Sequence, residues 1–240
     1  MVGTTAYVGA NFFGLGILDV SESRGACRCA RRSRHRDKPR PRLHFGSKIV
    51  VIDHMEGVVL VDASNSGKPV SAGSFFVDGY ARDIVTSGAI AYAVDSPAGF
   101  YVLDLSAQKP MEPISALQTG AGLRTVEVSG SLAVLVGNGL IQLYDVSKPS
   151  APVKIPPFKT PGGALRAAIS GTTVYVADGR EGVQVVDFSD RSAPKIVEEY
   201  ETAGTARDVA VAGDLLFAVV TEPTAKPQDG GKVVILRHTR

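Results

Sequence analysis

Residues 171–189, GTTVYVADGREGVQVVDFS, decide how the rest of the chain is read. Two short runs, 173–177 (TVYVA) and 183–188 (VQVVDF), are rich in β-branched and aromatic residues and predict strands. Between them Asp178-Gly179-Arg180-Glu181-Gly182 supplies residues that tolerate positive φ and tight turning. The second run closes on Asp187-Phe188-Ser189, where an Asp or Ser side chain can accept from backbone N–H groups two residues on and fix the next turn. Both runs are nearly continuous in apolar character, so both sheet faces are expected to be covered; a strand with one wet face would alternate.

The same pattern recurs in phase along the chain. The glycine before the first run returns as Gly88, Gly130, Gly171 and Gly213, and the aspartate closing the second as Asp19, Asp62, Asp104, Asp145 and Asp187. The spacing is 41 to 43 residues throughout. Residues 5–21 (TAYVGANFFGLGILDVS) match 173–189 without a gap. A fixed period of about 20–50 residues marks a solenoid, a propeller or an array. Helical repeats of this length would need an apolar period of 3.6, which no stretch sustains. Short strands, roughly four to a period, fit a β-propeller blade, whose neighbours cover both of its faces.

Taken in order, the repeats give six units. The first, 4–21, supplies the two central strands of a blade, and 46–64 resumes the pattern. From Lys68 the units are complete, with 123–160 as the fourth and 164–202 as the fifth. The sixth opens on 206–213 (ARDVAVAG), carries a Pro- and Lys-containing insertion at 222–230, and reaches its third strand at 232–238. The expected fold is therefore all-β: one β-propeller domain over 1–240, about six four-stranded blades, the first and last incomplete. Because Met1 falls after an inner strand and Arg240 at a third strand, the chain is expected to be part of a larger propeller.

The closing cores ILDVS (17–21), LVDAS (60–64), VLDLS (102–106), LYDVS (143–147) and VVDFS (185–189), with ARDIVTSG (81–88) and ARDVAVAG (206–213) before two of the blade centres, resemble the LVIVD repeat. The resemblance covers nearly all of the chain outside 22–45. It implies a bacterial or archaeal surface or secreted β-propeller, and with it an extracellular binding or scaffold role. A WD40 propeller fits poorly, since the chain has no Trp and lacks the Gly-His and Trp-Asp signatures.

Composition excludes several classes. At 240 residues and 44% hydrophobic content a sizeable core is within reach. No apolar run approaches the roughly 18–20 residues a membrane helix needs, and residues 1–8 lack the basic start and apolar core of a secretory signal. The net charge of +2 hides an uneven distribution: residues 22–45 hold nine of the 26 Lys and Arg but two of the 24 Asp and Glu, so the repeats themselves are mildly acidic.

Candidate sites follow from the repeats. The recurring Asp-x-Ser reads as turn chemistry, which every blade requires. The start of the inner strand is more informative: Arg82-Asp83 and Arg207-Asp208 match, Arg124 keeps the Arg, and the fifth unit shifts it to Arg166. In a four-stranded blade this start lies at the same end as the loop between strands two and three. Arg82, Arg124 and Arg207 are thus expected to rim a central opening, with Asp53, Asp95 and Asp178 nearby. Convergent arginines there could hold a carboxylate or sulfate of a protein or glycan partner; the competing expectation is that each bridges to a neighbouring blade. No cofactor is expected. Gly-x-Ser-x-Gly, Walker and Cys-x2-Cys motifs are missing, and the inner strands carry mainly Val, Ala, Ser and Thr. The alternative to a binding module is a metal-assisted, lactonase-like hydrolase, which needs inward carboxylates with His or Asn around a metal.

Residues 22–45 (ESRGACRCARRSRHRDKPRPRLHF) match no other part of the chain. Cys27, Cys29, His35 and His44 have poor spacing for zinc. Eight arginines lack the aromatic platform of a single-strand nucleic-acid site, so no nucleic-acid partner is expected. The segment fills the length of one outer and one inner strand with foreign chemistry, as an out-of-frame reading of GC-rich DNA would. Its arginines and prolines are expected to leave it without a stable β-ladder.

Overall fold

The computed structural model describes residues 5–10, 14–19, 29–30, 40–45, 48–53, 57–65, 69–77, 79–96, 99–106, 111–120, 122–222 and 231–237, with the side chains of those from Lys48 onward except Asp53 and Ser96. These form 22 strands, and no helix occurs among the described residues. The chain divides into two compact units, Met1–Gln118 and Thr119–Arg240.

In the first unit, β1 (Thr5–Ala10), β2 (Gly14–Asp19) and β3 (Cys29–Ala30) form a three-stranded sheet. The strands β4 (Arg40–Phe45), β5 (Lys48–Asp53), β6 (Gly57–Asp62) and β7 (Val70–Phe75) form a four-stranded sheet, as do β8 (Tyr80–Ser87), β9 (Ile90–Ser96), β10 (Gly99–Asp104) and β11 (Pro113–Gln118). The second unit repeats the plan. One sheet holds β12 (Thr125–Ser129), β13 (Leu132–Gly137), β14 (Leu140–Asp145) and β15 (Val153–Phe158); the next holds β16 (Arg166–Ser170), β17 (Thr173–Ala177), β18 (Val183–Asp187) and β19 (Lys195–Tyr200). A three-stranded sheet follows, of β20 (Thr205–Ala212), β21 (Leu215–Thr221) and β22 (Lys232–Arg237). Within each sheet, strands adjacent in sequence pair antiparallel, as short hairpin connections require. Six sheets correspond to the six units expected from the 42-residue period, but the first and second each hold one strand more than expected, β3 and β4 from within 22–45.

Burial on both faces is as the unbroken apolar runs predict. In the sheet β16–β19, Val174, Val176 and Val186 join Leu132, Val134, Val136 and Leu143 of the preceding sheet in one core cluster. The opposite face, Tyr175, Ala177, Val183 and Val185, joins Ala206, Val209, Leu216 and Ala218 of the following sheet in another. Alternate residues of each strand thus serve two separate cores, so no position can be polar without cost. The first unit does the same at β5: Val50 and Ile52 pack with Ile84, Ala93 and Leu103, whereas Ile49 and Val51 belong to a separate cluster.

Local chemistry sets the connections. Asp62, Asp104, Asp145 and Asp187 each accept from the backbone N–H of the serine two residues on, at 2.8 Å in all four. These Asx turns are the role expected for Asp-x-Ser; the Asp19 side chain lies outside the described residues. Gly88, Gly130, Gly171 and Gly213 stand at φ between 56° and 62°, the left-handed turn residues joining inner to second strands.

One of these turns also carries a clamp that the repeat does not predict. Arg191, in the loop after β18, donates through Nη1 to Asp145 Oδ2 at 2.6 Å and through Nη2 to Ser131 Oγ at 2.7 Å, tying its sheet to the preceding one. Both charged side chains are 34% exposed, so solvent screens the pair. A double-mutant cycle of Arg191→Ala and Asp145→Ala is expected to give a coupling of about 0.5–1 kcal/mol. Asp145→Ala alone should cost more than Arg191→Ala, because it also opens the turn to Ser147.

Residues 22–45 correct the expectation of no ladder. β3 pairs with β2 through Ile17↔Ala30 and Leu18↔Cys29, and β4 pairs with β5 from Arg40↔Ile52 to Phe45↔Lys48. A ladder is built from backbone groups, which arginine supplies as well as valine does. β4 is an edge strand, partnered on one side only, and a register shift falls between Pro41 and Leu43; an edge position beside a bulge is where a proline can sit in a sheet. Cys27, His35 and the insertion at 223–230 lie outside the described residues.

Candidate functional site at the inner-strand start

Pairing places each inner-strand start beside the turn joining strands two and three. Tyr80↔Ser96 and Ala81↔Asp95 set this register in the first unit. In the second, Ala206 N–H donates to Gly179 O at 2.7 Å, bringing the start of β20 against the turn after β17. Arg82 and Asp95 thus lie at one such end in the first unit, and Arg207 and Asp178 at another in the second. Arg124 immediately precedes β12, with its N–H donating to Val136 O at 2.8 Å.

Arg82 and Arg207 share a feature that the sequence motif did not reveal. The β8–β9 register shifts between Ala81 and Asp83, and the β20–β21 register between Ala206 and Asp208, so each arginine is the extra residue of a β-bulge. The aspartate that follows holds the bulge: Ile84 N–H donates to Asp83 Oδ1 at 3.0 Å, and Val209 N–H to Asp208 Oδ1 at 2.9 Å. Alanine before the bulge is buried in both cases, at 4% and 0% exposure, and the arginine is turned out to solvent. Arg-Asp at this position is therefore a bulge signature in which Asp fixes the backbone and Arg is displayed.

The arginines do not behave alike as bridges. Arg166 lies 3.8 Å from Asp208 of the neighbouring sheet, the inter-sheet pairing that competes with a binding role. Arg82 instead stands over the Tyr80 ring, its Cζ 5.9 Å from the centroid. Arg207 donates through Nε to Thr221 Oγ1 at 3.1 Å within its own sheet. Arg124 is exposed.

The carboxylates point inward. Asp95, 3% exposed, accepts from Gly99 N–H and from the Tyr101 hydroxyl. Asp178, fully buried, accepts from the Thr160 hydroxyl and from Gly162 N–H at 2.8 Å. It thereby ties the loop arriving from β15 to the turn after β17. The Asp53 side chain lies outside the described residues. Burial pushes the Asp178 carboxyl up from its ordinary value, against the lowering effect of its two hydrogen bonds and with help from Glu181 and Glu199. Between 3.8 and the higher folded value the native state holds a proton that the unfolded chain has released, so this group makes stability fall as pH rises. Comparing Asp178→Asn with the parent in urea at pH 3.5 to 7, the stability difference is expected to move steadily in favour of the variant as pH rises. A constant difference would contradict the buried charge.

Two further polar residues escaped the sequence reading although they recur 42 apart. Gln142 is 6% exposed and donates to Thr119 O at 3.2 Å; Gln184 is 1% exposed and donates to Glu181 O at 3.0 Å. Both anchor turns at the same end of their sheets. The signal available was a glutamine inside each of two apolar strands.

Residues 78–113 and 161–202 match the family LVIVD repeat. The chain carries LVIVD repeats. The first match spans Arg82 and Asp95, and the second spans Asp178 and the 171–189 template, so the bulge and the closing Asx turn lie inside LVIVD units. No curated protein matches the chain. Among solved structures it is similar to a functionally unknown protein from Desulfotomaculum acetoxidans (TM-score 0.77, 9% identity, 98% of this chain and 79% of that one). It is also similar to the computationally designed Ika8 protein (TM-score 0.75, 10% identity, 99% and 69%). A third similarity is to the β-propeller domain of Cps50 (Swd1) from Myceliophteria thermophila (TM-score 0.72, 14% identity, 92% and 77%). At these identities the likeness is one of fold: the LVIVD units are β-propeller blades.

Proposed function

We propose that this LVIVD-repeat chain is a non-enzymatic β-propeller module, one domain over 1–240, that binds a protein or glycan partner at the cell surface or outside the cell. The binding residues are the arginines at the inner-strand starts, Arg82, Arg124 and Arg207, with Asp95 and Asp178 holding the adjoining turns. The observation that carries this reading is the bulge. A bulge re-aims a side chain, and Arg82 and Arg207 are both aimed outward on a backbone fixed by the next residue. A guanidinium held this way has donors suited to a carboxylate or sulfate.

The extracellular setting rests on the resemblance of LVIVD proteins to surface and secreted propellers. No helix among the described residues is long and apolar enough to cross a membrane.

The test has two arms. Screened against arrayed glycans and proteins, the parent is expected to bind a ligand that Arg82→Ala, Arg207→Ala loses at unchanged melting temperature. Calcium and zinc titrations followed by thermal shift address the hydrolase. A metal-dependent rise in melting temperature, with ester or lactone hydrolysis that a chelator abolishes, would replace the binding reading.

A further inference from the structure

The fold requires some residues in every unit and leaves others to chance, and this separates Phe76 and Tyr80 from their surroundings. Phe76 follows β7 and is 65% exposed; Tyr80 opens β8 and is 59% exposed. Phe75, one residue earlier, turns the other way and packs edge-on against Tyr101 at 5.2 Å. Measured six and two residues back from Arg124, from Leu165 (which holds the arginine's place in the fifth unit) and from Arg207, the residues matching Phe76 are Gln118, Lys159 and Glu201, and those matching Tyr80 are Gly122, Gly163 and Thr205. A residue needed to build a blade would recur, as the turn glycines and aspartates do. These two aromatics do not, and displaying them to water is unfavourable.

They stand at the two ends of the short connection from β7 to β8, just before the displayed arginine. Arg82 is the bulged residue two positions after Tyr80, and its guanidinium lies over the Tyr80 ring. A cation–π contact of this kind engages the charge of the guanidinium rather than its N–H donors, which can receive an anion.

We propose that Phe76, Tyr80 and Arg82 form a platform for an anionic polysaccharide. An exposed aromatic face attracts the polarised C–H groups of a sugar ring, and Arg82 receives the carboxylate or sulfate that the sugar carries. The footprint favours a sugar over a protein surface: three side chains cover one or two sugar rings, whereas a stable protein interface takes about 800 Å² on each partner around an apolar centre. The proposal rests on the reading of the inner-strand arginines as binding residues and adds the ligand class.

The test uses the whole 240-residue chain at 150 mM salt. Its probes are polygalacturonate and dextran sulfate, with uncharged dextran and polyglutamate as controls. Polyglutamate measures any attraction of polyanions to the basic residues at 22–45. At least one charged polysaccharide is expected to bind ten-fold or more tightly than dextran and polyglutamate. Phe76→Ala and Tyr80→Ala should each weaken it five-fold or more without change in melting temperature. Arg82→Gln should remove the preference for charged over uncharged polymer while Tyr80→Phe retains it. Equal binding of polyglutamate would overturn the sugar, in favour of an acidic protein ligand if Arg82→Gln abolishes it and of charge attraction to residues 22–45 if it does not. Binding unchanged in both aromatic variants would overturn the platform, and its loss in Arg82→Ala, Arg207→Ala would then leave the arginine reading standing. Binding of neither charged polysaccharide overturns the platform outright.

Discussion

Phe188→Ala is expected to lower the stability of the chain by about 3–5 kcal/mol, read as an earlier urea midpoint at unchanged slope. Phe188 is 1% exposed and belongs to the cluster that joins the sheets β12–β15 and β16–β19, with its ring edge-on to Phe158 at 5.8 Å. Its backbone N–H also donates to Thr172 O at 2.8 Å, so the position is held from both ends and cannot collapse to fill a void. The cost therefore includes the cavity as well as the lost transfer of the ring from water. Phe188→Leu, which keeps most of the volume, should recover more than half of the loss. A Phe188→Ala penalty near 1 kcal/mol would mean that the two sheets repack freely across this cluster.

The second large effect is expected at Gly182→Ala, on the order of 3 kcal/mol, from strain and overpacking together. Gly182 stands at φ 73°, and a Cβ there would collide with the backbone carbonyl oxygen of Tyr200 in β19. The clash is with a strand rather than a flexible side-chain tip, so the outer strand must shift. Gly171→Ala isolates the strain: φ is 62°, and an added Cβ has no atom within 4 Å. Only the left-handed backbone cost of about 1–2 kcal/mol should appear there. If the two substitutions cost the same, the close approach of β19 contributes nothing.

These contrasts show which features were legible in sequence. Asp187 and Ser189 lie two residues apart, and Gly171 closes a hairpin whose strands are adjacent in sequence. Their chemistry is satisfied within a few residues, so the letters alone dictate it. Repetition adds what one copy lacks: Asp62, Asp104, Asp145 and Asp187 in phase exclude chance. The runs VQVVD and TVYVA told that both faces are covered, because alternate residues project to opposite sides and, Gln184 apart, the residues on both sides are apolar up to the closing Asp187. For residues 40–45, however, composition misled. Side chains decide where a strand packs, while the ladder needs only backbone groups, and β4 pairs despite its arginines and Pro41.

The candidate site was legible only in part. That Arg82 and Arg207 begin inner strands followed from the period. That each is a bulge residue turned to solvent did not, because a one-residue register shift is decided by how β8 and β20 meet their partner strands. Asp95 and Asp178 were read as rim residues, yet the structure has them buried and bonded to turn groups, Gly162 and Thr160 being contributed by the loop from the previous sheet. Arg191 reaches Asp145 across 46 positions of sequence, a distance at which no local rule operates. The sequence by itself determined the repeat, the turns and the all-β sheets, since these depend on contacts between near neighbours. Tertiary structure alone decided which charged groups are displayed and which are enclosed, since that depends on the packing of one sheet against the next.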